Sequence, residues 1–405
     1  MKLNNKNTEL RTQNNPCDTL HPVRCALHGA ACTTFSSLIM YRFLLFVLFS
    51  LLSACYVADA PPPSAAPTVT PTLAPSATPL PGMIGPEVYP DGVNPLTGML
   101  MENPAALERR PLVVKLSNAP PLVRPQAGIG AADVVFEHYA EGGLTRFSAI
   151  FYTNAPERVG SIRSARLIDH ELMAMYQGLL GFSGTSEGVG AVLRASEYYE
   201  RTYIGVAYPE PFYYRDESIP APHNLFMNAA ALWSLAADEG FGQAPPLAGL
   251  AFSAPPPAGE GGQANSVQIE YRATRAGWLY DGERGQYLRF SDGQPHLDAN
   301  TGTQVVADNV VIVYVRHVDT DIVESVWQDQ VSWSIQIQLW DEGDAILIRD
   351  GQQYRARWRR PERDAALSLV TPEGAPLPLR PGVTWVQLFP LPEQWIAGEE
   401  AVEME

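Results

Sequence analysis

Cysteine and lysine are scarce in this sequence. The scarcity of cysteine excludes several kinds of site, and the scarcity of lysine leaves arginine as the main basic residue. The four cysteines are Cys17, Cys25, Cys32 and Cys55. The chain beyond residue 55 therefore has no disulfide and no thiolate that could bind a metal or act as a nucleophile. In the same stretch Lys115 is the only lysine, so arginine supplies nearly all of the positive charge.

Positive charge is also in deficit, since the formal net charge of the 405 residues is −16. Residues 1–55 hold 5 of the 28 basic and 2 of the 44 acidic residues, which leaves 23 and 42 and a net charge of −19. Phosphate recognition needs a basic face, so this balance argues against nucleic acid as a partner. It also disfavours broad adhesion to anionic lipid head groups.

Residues 40–55, MYRFLLFVLFSLLSAC, form the clearest motif. A basic residue, Arg42, precedes an apolar run that suits a signal peptide but is too short for a comfortable membrane span. The run ends in the lipobox Leu-Ser-Ala-Cys, which predicts acylation of Cys55 and lipid anchoring on the extracytoplasmic face of a bacterial cell membrane. The alternative is an ordinary signal peptide with a coincidental cysteine.

The composition divides the rest of the chain into segments. Because Met40 stands just before Arg42, we expect residues 1–39 to be a mis-assigned extension, or else an unusually long start of the signal. A Pro/Ala/Thr-rich tether follows the anchor and favours extended polyproline II. The predicted boundaries are 56–93 for the tether, 94–245 for a first domain, 246–262 for a linker, 263–396 for a second domain and 397–405 for a tail.

The two predicted domains differ in pattern, and together they give an α+β fold class. In the first, buried strands alternate with helices, so we expect a mixed α/β domain. The predicted strands are 111–117, 133–140, 144–153 and 178–183, and the predicted helices are 164–177, 186–200 and 224–240. The second domain has short strands separated by Asp-Gly turns, which predicts a β-rich barrel or sandwich.

Several strings resemble the YerB-like family of bacterial lipoproteins. They are NPLTG, RRPLVVKLSN, RPQAGIGAADVVFEHYAEGGLTRFSAIF, GSIRSAR, FYYRDESIPAPHNLF and DGQPHLDANTGTQVVADNVVIVYV. The resemblance covers roughly residues 90–395 and implies a domain of unknown function followed by its associated C-terminal domain. It further implies a membrane-anchored cell-envelope protein connected with cell-wall processes. It implies no particular reaction.

A helix starting near Ser164 would place Arg163, Arg166 and His170 along one stripe. Arginines in a first turn oppose the helix dipole, whereas a bound anion would contact both guanidinium groups and free backbone N–H groups. A carboxylate or phosphate ligand is one interpretation, and internal pairing with acidic residues of neighbouring strands is the other. The candidate ligand-binding residues are Arg163, Arg166, His170, Glu137, Glu141 and Asn118.

A second group of residues could carry catalysis. His223 lies in a proline-rigidified loop and could act as a general acid or base oriented by Asp216. Gly184-Thr185-Ser186-Glu187-Gly188 matches the nucleophile-elbow pattern, although Ser186 fits equally well as a helix N-cap. The candidate catalytic residues are His223, Asp216, Arg215 and Ser186.

The sequence predicts neither a metal nor a cofactor, because it has no ligand cluster at metal spacing. Seven of the eight tryptophans lie beyond residue 262, where they could stack on sugar rings or fill a small core. Two functions remain open. One is an envelope module that binds a wall-related ligand or a partner protein, and the other is a hydrolase or transferase that acts on an anionic or glycan substrate through His223, Arg163 and Arg166.

Overall fold

The computed structural model describes residues 82–259, 261–395 and 400–405. The predicted extension, the signal with Cys55 and the tether up to residue 81 lie outside the described residues. None of the helices in the described part of the chain is long and apolar enough to cross a membrane.

Strands predominate over helices in the described residues. The α-helices are α1 (Leu167–Tyr176), α2 (Glu187–Arg194) and α3 (Ala229–Asp238). Short 3-10 helices span Pro104–Glu108, Pro121–Val123, Ile129–Ala131, Glu141–Gly143, Tyr199–Arg201 and Pro392–Gln394. The strands are β1 (Leu112–Ser117), β2 (Val134–Tyr139), β3 (Thr145–Phe151), β4 (Val159–Gly160), β5 (Leu179–Phe182), β6 (Thr202–Ile204), β7 (Tyr213–Arg215), β8 (Leu225–Met227), β9 (Gly262–Gln263), β10 (Ser266–Tyr271), β11 (Thr274–Asp281), β12 (Gln286–Ser291), β13 (Gln294–Pro295), β14 (Val306–Ala307), β15 (Asn309–Val315), β16 (His317–Trp327), β17 (Gln330–Ile337), β18 (Asp341–Arg349), β19 (Gln352–Arg360), β20 (Ser368–Val370), β21 (Thr384–Pro390) and β22 (Glu400–Met404).

One large sheet joins both halves of the sequence. Its strand order is β20-β19-β18-β15-β21-β2-β3-β1-β5-β6, with β9 paired to β19. The halves meet where β21 lies parallel to both β15 and β2, with Val134 opposite Thr384. A second sheet has the order β13-β12-β11-β10-β22, with β14 paired to β12, and a third has the order β4-β8-β7. The long strands β16 and β17 form a separate hairpin.

Both faces of the large sheet are buried, and the alternation of side chains along each strand shows how. In β1, Leu112, Val114 and Leu116 belong to one apolar cluster and Val113 to the other. Helices α1 and α2 cover the face on which Val113 lies. The six-stranded sheet and α3 cover the opposite face, so the described residues form three layers around two cores.

The structure confirms the α+β class and corrects several element boundaries. Helix α1 begins at Leu167 rather than near Ser164, and α2 ends at Arg194 rather than at residue 200. The segment predicted as one helix over 224–240 begins with strand β8, and its helix starts only after Asn228 accepts a hydrogen bond from Ala231 N. The strands beyond residue 262 do not close into a barrel within the described residues. They divide among the large sheet and the six-stranded sheet, which pack face to face, and the separate β16–β17 hairpin.

Candidate functional site

A pocket of about 430 Å³ lies where the two halves of the chain meet. Ser117 at the end of β1 and Arg146 near the start of β3 contribute from the first half, and Thr274 and Asp292 contribute from the second. We call this pocket the arginine pocket. Its lining residues are Ser117, Ala119, Pro120, Pro121, Arg124, Ala140, Glu141, Leu144, Thr145, Arg146, Arg163, Ala273, Thr274 and Asp292.

Arg163 is the least paired of the arginines that line this pocket. Its backbone is fixed, because Arg163 N donates to Lys115 O at 2.9 Å and Ser183 N donates to Arg163 O at 3.0 Å. Its side chain is half-buried, and its Nε is buried with no hydrogen-bond partner among the described residues. Burial, followed by the positive charge of Arg166, lowers the pKa of Arg163. An anion would supply the missing acceptor and relieve the repulsion from the neighbouring cations.

Glu141 forms ion pairs with Arg146 and Arg166, the two arginines next to Arg163. It accepts from Arg166 Nε at 2.8 Å, forms a second bond to Arg166 Nη2, and pairs with Arg146 Nη2 at 2.9 Å. Burial opposes ionisation of Glu141, but the two arginines outweigh it and lower its pKa to about 2. Arg166 is therefore paired internally, as the second interpretation of the sequence has it. Of the two arginines predicted to bind a ligand, only Arg163 lines the pocket.

Replacing Glu141 by glutamine is expected to remove stability that depends on pH. The folded-state pKa of about 2 lies below the ordinary value of 4.5, so the carboxylate stabilises the fold fully above pH 4.5 and loses that effect as the pH falls towards 2. A shift of this size corresponds to about 3 kcal/mol. We expect the free energies of unfolding of the wild type and Glu141→Gln, measured by denaturant titration, to converge between pH 4.5 and pH 2. Parallel pH profiles would contradict this role.

The inner wall of the pocket is built on a buried ion pair. Arg289 Nη2 on β12 lies 2.6 Å from Glu137 Oε2 on β2, and both side chains are fully buried. Glu137 Oε1 also accepts from Thr145 Oγ1 at 2.8 Å and from Asn118 Nδ2 at 3.3 Å. Of these residues only Thr145 lines the pocket. The predicted ligand-binding residues Asn118 and Glu137 thus lie behind its wall.

Arg124 links this buried group to the pocket surface. Its Nε donates to Asn118 Oδ1 at 3.0 Å, and its Nη1 lies 2.5 Å from Asp292 Oδ2. Asp292 also accepts from Arg275 N at 2.8 Å. Burial opposes ionisation of Asp292, but this backbone bond and Arg124 outweigh it and lower its pKa. A continuous series of hydrogen bonds and ion pairs therefore runs from the buried Glu137 through Asn118 and Arg124 to Asp292 at the rim of the pocket.

His170 lies apart from the pocket, so the predicted helical stripe of Arg163, Arg166 and His170 is wrong. Arg163 precedes the helix, and Arg166 is the N-cap residue of α1. The imidazole of His170 bonds to Tyr198 Oη through Nδ1 and lies 3.2 Å from Arg363 Nη2 through Nε2. Because α1 starts three residues later than the periodicity suggests, these side chains diverge.

The four candidate catalytic residues do not form a triad among the described residues. Ser186 caps α2 by accepting from Val189 N at 3.4 Å, as in the N-cap interpretation. Asp216 bonds to Ser218 and to Arg158 Nη2, the latter at 2.7 Å, and Arg215 Nη1 donates to Asn224 Oδ1 at 2.7 Å.

His223 Nδ1 is buried and has no hydrogen-bond partner in the described part of the chain. Burial, followed by the charge of Arg163, lowers the pKa of His223. The charge of Arg163 therefore acts on His223, but neither Ser186 nor Asp216 lies within hydrogen-bond distance of His223. No specific contact in the described structure favours the hydrolase alternative.

Sequence reasoning missed four residues that shape the site. They are Arg124, Arg146, Arg289 and Asp292. The available signals were weak, because Arg146 and Arg289 are single charged residues within strands, and Arg124 and Asp292 lie outside the strands. Within the described ranges, no group of three or more His, Cys, Asp or Glu side chains could hold a metal ion.

The fold and the pocket define a class of α+β proteins in which an N-terminal and a C-terminal part share one sheet. Residues 96–242 match the family described as "Protein of unknown function (DUF3048) N-terminal domain", and residues 267–386 match the corresponding C-terminal domain. The chain belongs to this family, and the resemblance to YerB-like proteins is confirmed.

Two comparisons connect the chain to one relative. It is 30% identical over 304 residues to "Putative lipoprotein YerB" of Bacillus subtilis (strain 168), which covers 73% of this chain and 86% of the relative. The crystal structure of the YerB protein from Bacillus subtilis matches with a TM-score of 0.63 and 28% identity, covering 73% of this chain and 96% of that one.

Proposed function

We propose that this protein is a lipid-anchored binding module of the bacterial cell envelope, whose arginine pocket holds the carboxylate or phosphate of a wall-derived ligand. The observation that carries the proposal is the half-buried guanidinium of Arg163, whose buried Nε has no hydrogen-bond partner among the described residues. Buried polar groups are normally hydrogen-bonded. An acid is the ligand chemistry that matches a guanidinium.

The site of action follows from the leader. The lipobox ending at Cys55 and the proline-rich stretch after it would attach the domain to the extracytoplasmic face of the membrane and hold it at a distance. The Bacillus subtilis relative is named a putative lipoprotein, which supports this anchoring. Labelling of the full chain with a radioactive fatty acid, with Cys55→Ala as the variant, tests the anchor. Equal labelling of both chains would refute it.

Replacing Arg163 by glutamine is expected to weaken ligand binding by tenfold or more. A charge-assisted hydrogen bond contributes roughly 1.5–3 kcal/mol, which corresponds to about 10- to 100-fold in affinity. The full chain, purified in detergent, would be incubated with a muramidase digest of cell wall, and retained species would be identified by native mass spectrometry. We expect an acidic species to be retained by the wild type and lost from the variant.

The matched control is Arg357→Gln, which makes the same charge change at a partly exposed site. Arg357 pairs with Glu342 and Asp344 on β18 and does not line the pocket. Retention unchanged in Arg357→Gln but lost in Arg163→Gln would support the proposal. Equal losses in the two variants, or retention of no acidic species by the folded wild type, would overturn it.

A further inference from the structure

A second pocket, also of about 430 Å³, adjoins the arginine pocket. The two share Pro121, Arg124 and Asp292, so the Arg124–Asp292 ion pair lies on their common boundary. The remaining lining residues are Pro125, Ser291, Gln294, Pro295, His296 and Leu297. We call it the proline pocket, because three of its lining residues are prolines.

Two polar side chains of the proline pocket have unused hydrogen-bonding capacity. Ser291 and His296 are each only 2% exposed. Ser291 Oγ and His296 Nδ1 are buried and have no hydrogen-bond partner among the described residues. Such groups are costly unless a partner is supplied. A ligand that enters this pocket can supply one.

The hydrogen bonds around His296 determine what kind of partner it needs. Gln126 Nε2 donates to Ser117 O at 2.8 Å, so Gln126 Oε1 faces the imidazole and accepts from His296 Nε2 at 2.6 Å. Burial, followed by the charges of Arg289 and Arg124, lowers the pKa of His296 well below its ordinary value, so the ring is neutral. With the proton on Nε2, Nδ1 is an acceptor and requires an O–H or N–H donor.

We propose that the two pockets together bind an acidic sugar: an uncharged ring in the proline pocket, joined to a carboxylate or phosphate in the arginine pocket. This inference rests on the proposed function and adds the class of ligand. Hydroxyl and acetamido groups donate to His296 Nδ1 and bond with Ser291 Oγ. The C–H faces of the ring pack on Pro125, Pro295 and Leu297. A purely apolar ligand would leave both polar atoms unpaired, and a second acidic group beside Asp292 would be repelled.

Three probes separate the two halves of this ligand. N-acetylmuramic acid carries both an acetylated sugar ring and a carboxylate, N-acetylglucosamine carries the ring alone, and D-lactate carries the acid alone. Binding to the full chain in detergent would be measured by isothermal titration calorimetry. We expect N-acetylmuramic acid to bind at least about tenfold more tightly than either part, because the second contact is made within one molecule.

Variants then assign each half to its pocket. Ser291→Ala should weaken N-acetylmuramic acid and N-acetylglucosamine by about fivefold, the equivalent of one neutral hydrogen bond, and leave lactate unchanged. Arg163→Gln should weaken N-acetylmuramic acid and lactate and leave N-acetylglucosamine unchanged. Ser368→Ala on β20 is the matched control, because Ser368 donates to Arg359 O and lines neither pocket. Unchanged lactate binding also shows that Ser291→Ala folds.

The outcomes distinguish this inference from the proposed function. Lactate binding that depends on Arg163, with no gain from the sugar ring and no effect of Ser291→Ala, would overturn the inference and leave the proposed function standing. Equal binding of N-acetylmuramic acid and N-acetylglucosamine that depends on Ser291 and not on Arg163 would also overturn the inference, since the acid of this ligand would then not occupy the arginine pocket. The retention experiment with Arg163→Gln decides the proposed function separately. Binding of none of the three probes would overturn the inference.

Discussion

Replacing Arg289 by methionine is expected to lower the free energy of unfolding by about 3–5 kcal/mol, because it leaves a buried carboxylate without its cation. Arg289 and Glu137 lie 2.6 Å apart, and both side chains are fully buried. The guanidinium also lies over the rings of Trp278 and Trp385, at 4.8 Å and 5.0 Å from their centroids. Methionine retains an apolar side chain in contact with those rings but cannot donate to Glu137.

Urea denaturation at pH 7 would measure this effect against Arg359→Met. Arg359 is 41% exposed and pairs with Glu342, so its loss should cost at most about 1 kcal/mol. The double variant Glu137→Gln/Arg289→Met should recover part of the stability, because it no longer buries an unpaired charge. A cost for Arg289→Met as small as that for Arg359→Met would show that the ion pair does not hold the two sheets together.

This ion pair explains why the pocket depends on both halves of the chain. Arg289 belongs to the six-stranded sheet and Glu137 to the large sheet, so the pair fixes their relative position. Glu137 and Arg124 both hydrogen-bond to Asn118, and Arg124 in turn reaches Asp292. Rigid support behind a binding site keeps its contacting groups in place. The buried Arg289–Glu137 pair therefore fixes the position of Asn118 and Arg124, and through them that of Asp292 at the rim of the arginine pocket.

Local patterns in the sequence predict much of the fold. Asp292-Gly293 and Asp350-Gly351 both adopt positive φ angles and turn hairpins, as their sequences indicate. The pairing of β21 between β15 and β2 joins strands that are far apart along the chain, and no local pattern specifies it. Helix α1 starts later than the apolar periodicity predicts, because Asp169 accepts from Arg166 N and thereby fixes the N-cap at Arg166.

The site was predictable in part, for a physical reason. Arg163 is a candidate because of a helical stripe that the structure does not contain, and Glu141 because it is an acidic residue beside a strand, yet the structure places both on the pocket. Arg124 and Asp292 become neighbours only when the two halves fold together. Neither His296 nor Ser291 is among the candidate residues that the sequence predicts. Their unpaired atoms become apparent only when the surrounding hydrogen bonds are known.

Replacing Lys115 by methionine is expected to cost about 3–5 kcal/mol of stability, for the same physical reason at a different place in the fold. The strand string PLVVKLS puts a charged residue within a buried apolar run. Lys115 Nζ donates to Asp169 Oδ1 and Ser148 Oγ at 2.9 Å each and lies 2.8 Å from His138 Nε2. Burial lowers the pKa of Lys115 to about 8, so the ammonium persists at neutral pH.

A second substitution, at Asp169, distinguishes an effect of charge from an effect of packing on the stability of Lys115→Met. Lys115→Met leaves Asp169 buried without its cation at the start of α1, where Asp169 also accepts from Arg166 N at 2.7 Å. Asp169→Asn in the Lys115→Met background removes the unpaired charge and should restore a substantial part of the lost stability in urea denaturation at pH 7. If the double variant is instead as unstable as the sum of the two single changes, the loss comes from packing around Lys115. In that case the Lys115–Asp169 ion pair does not anchor α1 to the sheet beneath the arginine pocket. It then also does not fix the position of Arg166, the N-cap of α1, or of its partner Glu141.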